Sequence, residues 1–183
     1  MKRLVIDTET TGLSPNINKT LTIGLLLVDV EKDFLDILDS NHIFVKHKNY
    51  NSSKEAMAVN KIDLEQHNLH AVPPKKACNQ INEFIEKNVL HETPLVGHNI
   101  AFDRGFLNAL FDQGETFHKL HNKHEDTMWM WRSLQKQNKV PDGRSTLQNV
   151  ATHFGIDYTK AHDALADCEI TAQVYHKLLG LSQ

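Results

Sequence analysis

The spacing of apolar residues divides this chain into short β segments and amphipathic helices. Leu4-Val5-Ile6 places residues 3–7 on a buried strand. Residues 20–30 (TLTIGLLLVDV) form a near-continuous apolar run and predict a second, long strand. Residues 34–45 predict a third. The polar break Glu31-Lys32-Asp33 joins it to the second as an antiparallel hairpin. Ser52 or Ser53 caps a short helix ending near Val59. Pro73 or Pro74 opens a helix to about Asn88, with Ala77, Ile81, Phe84 and Ile85 on one face. A brief strand at 94–96 leads to a helix over 100–112, striped by Phe102, Phe106, Leu107, Leu110 and Phe111. A strand end at 124–127, a helix over 128–135, and a helix capped by Ser145 or Thr146 and ended by Gly155 follow. The last helix runs from about Asp163 to Leu179. A hairpin followed by helices alternating with short strands predicts an α/β fold: a mixed five-stranded sheet flanked by helices, in a single domain over 1–183.

Composition narrows the setting. A net charge of -3 and a pI near 6.4 argue against a protein that coats nucleic acid by bulk charge, but allow a local basic rim around an acidic centre. Cys78 and Cys168 have no motif spacing and read as reduced thiols. No apolar run approaches membrane-spanning length, and Met1-Lys2-Arg3-Leu4 lacks a signal segment, so the default location is the cytoplasm.

The chemistry lies in the carboxylates. Side chains two apart on a strand point the same way, so Asp7 and Glu9 project together from the end of the first strand. Two adjacent carboxylates repel, and a hard cation such as Mg²⁺ resolves the repulsion while keeping positions open for phosphate oxygens. Asp103 lies beside the inward stripe of its helix. Alone, it reads as an acid favouring the helix dipole. His162 is five residues before Asp167, about 140° around an α-helix. The two can share a site only if His162 sits in the loop before the helix and leans over its end.

Together, Asp7-Thr8-Glu9, His98-Asn99-Ile100-Ala101-Phe102-Asp103, and His162 with Asp167 resemble, in order and spacing, the three motifs of the DEDDh 3′→5′ exonucleases. The resemblance runs from about residue 3 to 178 and takes in Ser145-Thr146-Leu147-Gln148-Asn149-Val150. Within the family the chain most resembles the proofreading (epsilon) exonucleases of bacterial DNA polymerase III.

The resemblance implies a ribonuclease-H-like fold. It also implies a metal-dependent 3′→5′ exonuclease releasing nucleoside monophosphates from single-stranded DNA. Asp7, Glu9, Asp103 and Asp167 would hold two Mg²⁺ or Mn²⁺ ions, which can clamp the attacking and leaving oxygens of an in-line displacement. His162 would be the general base, with a rate that falls as imidazole protonates. Thr10, Thr11, Gly12 and Leu13 are expected at the 3′-terminal nucleotide, with Leu13 as a wedge. Phe102 either stacks on a base or packs against Phe106. His98 and Asn99 contact the scissile region or cap the helix. Asp126 resembles an additional family acid and reads as supporting. Asn60-Lys61-Ile62 stands where relatives often carry a His-Gly-Ile-like segment, which implies one altered substrate-side contact.

The epsilon subunit's C-terminal tether has no counterpart here. A free-standing exonuclease, with a homodimer open, is therefore expected over one docked to a polymerase. An RNA-processing or oligoribonucleotide exonuclease is the second reading, because the catalytic set is shared. A non-catalytic nucleic-acid-binding module is the third.

Other features read as structural. His118, His121 and His124 lack the cysteines and spacing of a common zinc site and suit a polar surface loop. Trp129 and Trp131, two apart on a helix, cannot both face inward. Lys46, His47, Lys48, Lys75, Lys76, Lys136, Lys139, Arg144 and Lys160 read mostly as solvated surface, some rimming the groove.

Overall fold

The alternation of the first strand decides how the layers assemble. In the computed structural model, which describes residues 1–181, the chain runs β1 (Lys2–Thr10), β2 (Thr20–Glu31), β3 (Phe34–Phe44), α1 (Lys54–Asn60), α2 (Leu64–His70), α3 (Pro74–Lys87), β4 (Leu95–Gly97), α4 (Ile100–Gln113), β5 (His124–Asp126), α5 (Thr127–Lys136), α6 (Leu147–His153) and α7 (Ala164–Leu181). The sheet order is β3-β2-β1-β4-β5, with the β1–β2–β3 pairs antiparallel and the β1–β4–β5 pairs parallel. This is the mixed five-stranded sheet expected.

Leu4 and Ile6 of β1 face a core that includes Ile81, Ile85, Leu107 and Leu110 from α3 and α4. Val5, between them, faces Cys168, Ala172 and Tyr175 of α7. One face of the sheet thus packs on α3 and α4 and the other on α7. Cys168 is fully buried there as a small packing residue. Tyr175 Oη donates to Glu125 Oε2 at 2.6 Å, and Arg3 Nε meets the same carboxylate, which ties α7, β5 and β1 together.

β1 is longer than the sequence pattern shows, running through Asp7 and Glu9 to Thr10. Its register against β2 shifts between Glu9 and Thr10, an irregularity of the kind that re-aims side chains beside functional sites. α2 is absent from the sequence reading. Asp63 caps it by accepting from the Glu65 and Gln66 amides, a start signal that the short run Leu64–His70 obscures. No helix among the described residues is long and apolar enough to cross a membrane.

Trp131 is core, 4% exposed, while Trp129 is 57% exposed with the Arg132 guanidinium over its ring. His121 faces Glu92, His124 takes the Arg104 guanidinium, and His118 meets the Phe111 ring edge-on. The three histidines therefore go to separate partners, two at the surface and His118 against the core ring of Phe111.

Candidate active site

Asp7 and Glu9 share the α7 face of β1, and Asp167 comes to that face from the first turn of α7. That helix can settle onto the sheet because β2 carries Gly24 directly opposite Asp7. A Cβ at Gly24 would lie 2.3 Å from the Ala164 carbonyl oxygen and 2.9 Å from Cys168 Sγ. The glycine is a close-approach device, of the kind a glycine inside a strand signals. Thr8 points to the opposite face and donates its hydroxyl to Asp103 Oδ1 at 2.8 Å. That bond holds the first-turn acid of α4 against the strand. Asp103 is 3% exposed and Asp167 7%.

Burial and mutual repulsion push these carboxylates upward. Asp7 is raised well above its ordinary value by burial, then by the charges of Asp103, Asp167 and Glu9. Glu9 is pushed up to about 8 by burial and then by Asp167, Asp163 and Asp103. Burial raises Asp103, against the Thr8 hydrogen bond, and raises Asp167, against the His162 amide. Asp167 Oδ1 is buried with no hydrogen-bond partner among the described residues. Acids crowded to this degree, with one orphaned oxygen, fit a divalent cation.

His162 lies in the loop before α7, as its spacing from Asp167 requires, with a left-handed backbone (φ 74°). Its amide donates to Asp167 Oδ2 at 3.2 Å. Its ring comes edge-on to Tyr158. One ligand atom from each of Glu9, His162 and Asp167 falls within 4.8 Å of the others, a metal-sized group. Asp163 accepts from the Leu165 and Ala166 amides and so starts α7.

A cavity of about 630 Å³ opens beside the acids, lined by Glu9, Thr10, Gly12, Leu13, Asn18 and Phe102 among others. Leu13 is 83% exposed on its rim. Phe102 lines the cavity while packing at a tilt on Phe106. Thr10 lies in the wall with its hydroxyl donated to the Gly12 carbonyl.

One expectation needs correction. Thr11 does not face the cavity: it is fully buried, its hydroxyl donates to the Asn51 carbonyl and accepts from the Lys19 amide, and its own amide donates to Lys19. It holds the loop. Gly12 lines the cavity and also packs closely on Asn18, whose side chain a Cβ would meet at 2.4 Å.

His98 and Asn99 line a separate cavity with Arg132 and Arg144. Both His98 ring nitrogens are engaged, by Thr127 Oγ1 and the Ser145 carbonyl, so this ring joins α5 to the α6 cap loop. Burial lowers its pKa. Asn99 adopts a left-handed conformation at the start of α4, and its side chain makes no cap bond. Asp126 caps instead, accepting from the Asn99, Ile100 and Met128 amides and so starting α4 and α5 together. Asn60 donates to the Thr10 carbonyl at 3.1 Å, and Lys61 takes a left-handed φ of 55°. Sequence reasoning missed Gly24 and Thr8. A glycine in an apolar run was the available signal for Gly24, and Thr8 lay unremarked inside the motif.

A sheet in this order, with an acidic cluster at the end of its central strand and helices on both faces, is a ribonuclease-H-like nuclease fold. The chain belongs to the RNase_T exonuclease family, whose model matches residues 4–175, and that family comprises 3′→5′ exonucleases using divalent metals. Among similar proteins, the Ribonuclease T of Shewanella denitrificans is 28% identical over 184 residues, covering 94% of this chain and 77% of that protein. The Ribonuclease T of Blochmanniella pennsylvanica is also 28% identical, covering 97% and 83%. Exonuclease I superposes on the whole chain with a TM-score of 0.85 at 18% identity. The E. coli enzyme solved with a dT13 oligonucleotide gives 0.81 at 16%, over 96% of the chain. This chain spans about 41% of the first exonuclease I chain and 40% of the second. These relatives are named for ribonuclease T and exonuclease I rather than for a polymerase subunit.

Proposed function

We propose that this chain, as a single domain, hydrolyses single-stranded nucleic acid from the 3′ end and releases nucleoside monophosphates. The convergence of Asp7, Glu9, Asp103 and Asp167 from β1, α4 and α7 carries this reading. These four would hold the metals, two Mg²⁺ or Mn²⁺ by the chemistry of the donor set. When bound, such ions stabilise charge on the attacking and leaving oxygens of a phosphodiester.

The remaining work falls to the chain's own residues. His162, on the loop over the acids, takes a proton from the attacking water through a ring nitrogen. Leu13 and Phe102 hold the terminal base, the first as a wedge and the second as a stacking face. Thr8 keeps Asp103 in place, and Asp163 sets the start of the helix that carries Asp167.

Single-stranded DNA was the substrate expected of the sequence. RNA is the second reading, and the name Ribonuclease T, borne by relatives that align with nearly the whole chain, favours it. The test is hydrolysis of end-labelled single-stranded DNA and RNA of one sequence with Mg²⁺, Mn²⁺ or EDTA, beside Asp7→Asn. Metal-dependent loss of 3′ mononucleotides, abolished by the substitution, is expected, and the sugar preference follows from the paired rates. Inertness toward both polymers with either metal would refute the reading.

A further inference from the structure

A second cleft, of about 620 Å³, lies away from the carboxylates. Lys19, Lys46, Lys48 and Lys75 reach it from three separate segments, with His47 and Gln113 between them. Among the described residues no carboxylate lines it. None of the four lysines makes an ion pair among the described residues, in a chain whose net charge is -3. Solvated lysines are usually spread over a surface among acids; here they converge on one concavity.

The cleft is joined to the active-site loop. The Lys19 amide donates to Thr11 Oγ1 at 2.8 Å, and its carbonyl accepts from the Thr11 amide at 2.9 Å. His47 Nε2 bonds the neighbouring Thr20 carbonyl at 2.8 Å, and burial lowers its pKa, so its ring braces the cleft rather than adding charge. A narrow cavity bounded by Asn18, Lys19 and Gln113 lies between the two. Asn18 also lines the active-site cavity, and Lys19 and Gln113 also line the basic cleft. The three concavities therefore follow one another across the surface.

We propose that Lys19, Lys46, Lys48 and Lys75 form an upstream subsite that holds the phosphodiester backbone of the substrate strand on the 5′ side of the nucleotide being removed. The inference rests on the exonuclease reading. A groove that neutralises backbone phosphates without reading bases lets an enzyme hold strands of any sequence while their 3′ ends are trimmed.

The test compares the wild type with a Lys46→Glu/Lys48→Glu/Lys75→Glu variant and its triple-alanine counterpart, all three sites being exposed. Hydrolysis is measured on a long single strand and on the p-nitrophenyl ester of thymidine 5′-monophosphate, which has no upstream backbone. Binding of the labelled strand is read separately by fluorescence anisotropy in EDTA. The charge-reversed variant should lose about tenfold or more in affinity and in kcat/KM for the strand, and the slope of log K against log salt should fall by about 0.7 for each phosphate no longer neutralised. The ester should be cleaved at the wild-type rate, and the alanine variant should fall between. A Lys123→Glu/Lys177→Glu control, which changes the net charge elsewhere by more than the triple-alanine variant does, should bind like the wild type. Unchanged strand affinity in the triple variants, or an equal loss on strand and ester, would overturn the subsite. Failure of the wild type to cleave either substrate would instead overturn the exonuclease reading, and the anisotropy would still report on the cleft.

Discussion

Replacing Glu9 by Gln should make the metal-free protein more stable while removing its activity. In the unfolded chain Glu9 ionises near its ordinary 4.5; in the fold burial and three neighbouring acids push it to about 8. Below about pH 4.5 the carboxyl is neutral in both states and costs nothing. As pH rises from there through about 8, the unfolded chain releases the proton readily and the folded one resists, so stability falls. At 1.36 kcal/mol per pH unit the whole displacement corresponds to about 5 kcal/mol. Water reaches this half-buried side chain and its neighbours titrate with it, so about 2 kcal/mol is the realistic share. For a chain of this length that is about 4–8 °C in Tm. The assay is thermal melting of wild type and Glu9→Gln in EDTA at about pH 5 and pH 8, repeated with Mg²⁺. In EDTA the variant should melt higher at pH 8, and the gap should shrink at pH 5. With Mg²⁺ the order should reverse, since an ion at about 100 times its Kd adds about 2.7 kcal/mol to the protein that binds it. A variant that melts at or below the wild type in EDTA at pH 8, or gains equally at both pH values, would refute the reasoning.

The other expectations are shorter. Gly24→Ala drives a methyl into the Ala164 carbonyl at the start of α7, so Tm should drop with a cost of about 1–3 kcal/mol and Mn²⁺ affinity by calorimetry should drop with it; intact metal affinity would show that α7 is not placed by this close approach. Asp126→Ala removes the acceptor that starts both α4 and α5, and should cost about 2 kcal/mol in urea melts, with Asp126→Asn recovering part of it. A loss no larger than that of an ordinary surface substitution would contradict the double cap. His162→Ala should lower kcat by about 10²–10⁴-fold with Mn²⁺ affinity retained, as removal of a general base predicts. Loss of the metal instead would make His162 a ligand, which its closeness to Glu9 and Asp167 also permits.

How much of this was legible from residues alone depends on the range of each interaction. Asp7 and Glu9 could be paired because strand periodicity is local: a spacing of two puts them on one face wherever the strand sits. In the fold the same alternation sets Leu4 and Ile6 in one core and Val5 in the other, where the sequence showed only a buried strand. The position of His162 off its helix followed from helical geometry in the same way. Thr11, by contrast, looks on paper as available as Thr10, and only the return of the chain at Lys19 and Asn51 encloses it. Asp126 reads as one more acid until α4 and α5 both begin at it. Gly24 is the sharpest case. Its meaning comes from standing opposite Asp7 in the β1–β2 register and beneath Ala164, some 140 residues on in the chain. The carboxylates declare the chemistry, but the approach of α7 that brings Asp167 to them depends on a residue with no side chain, so a search for reactive groups passes over it.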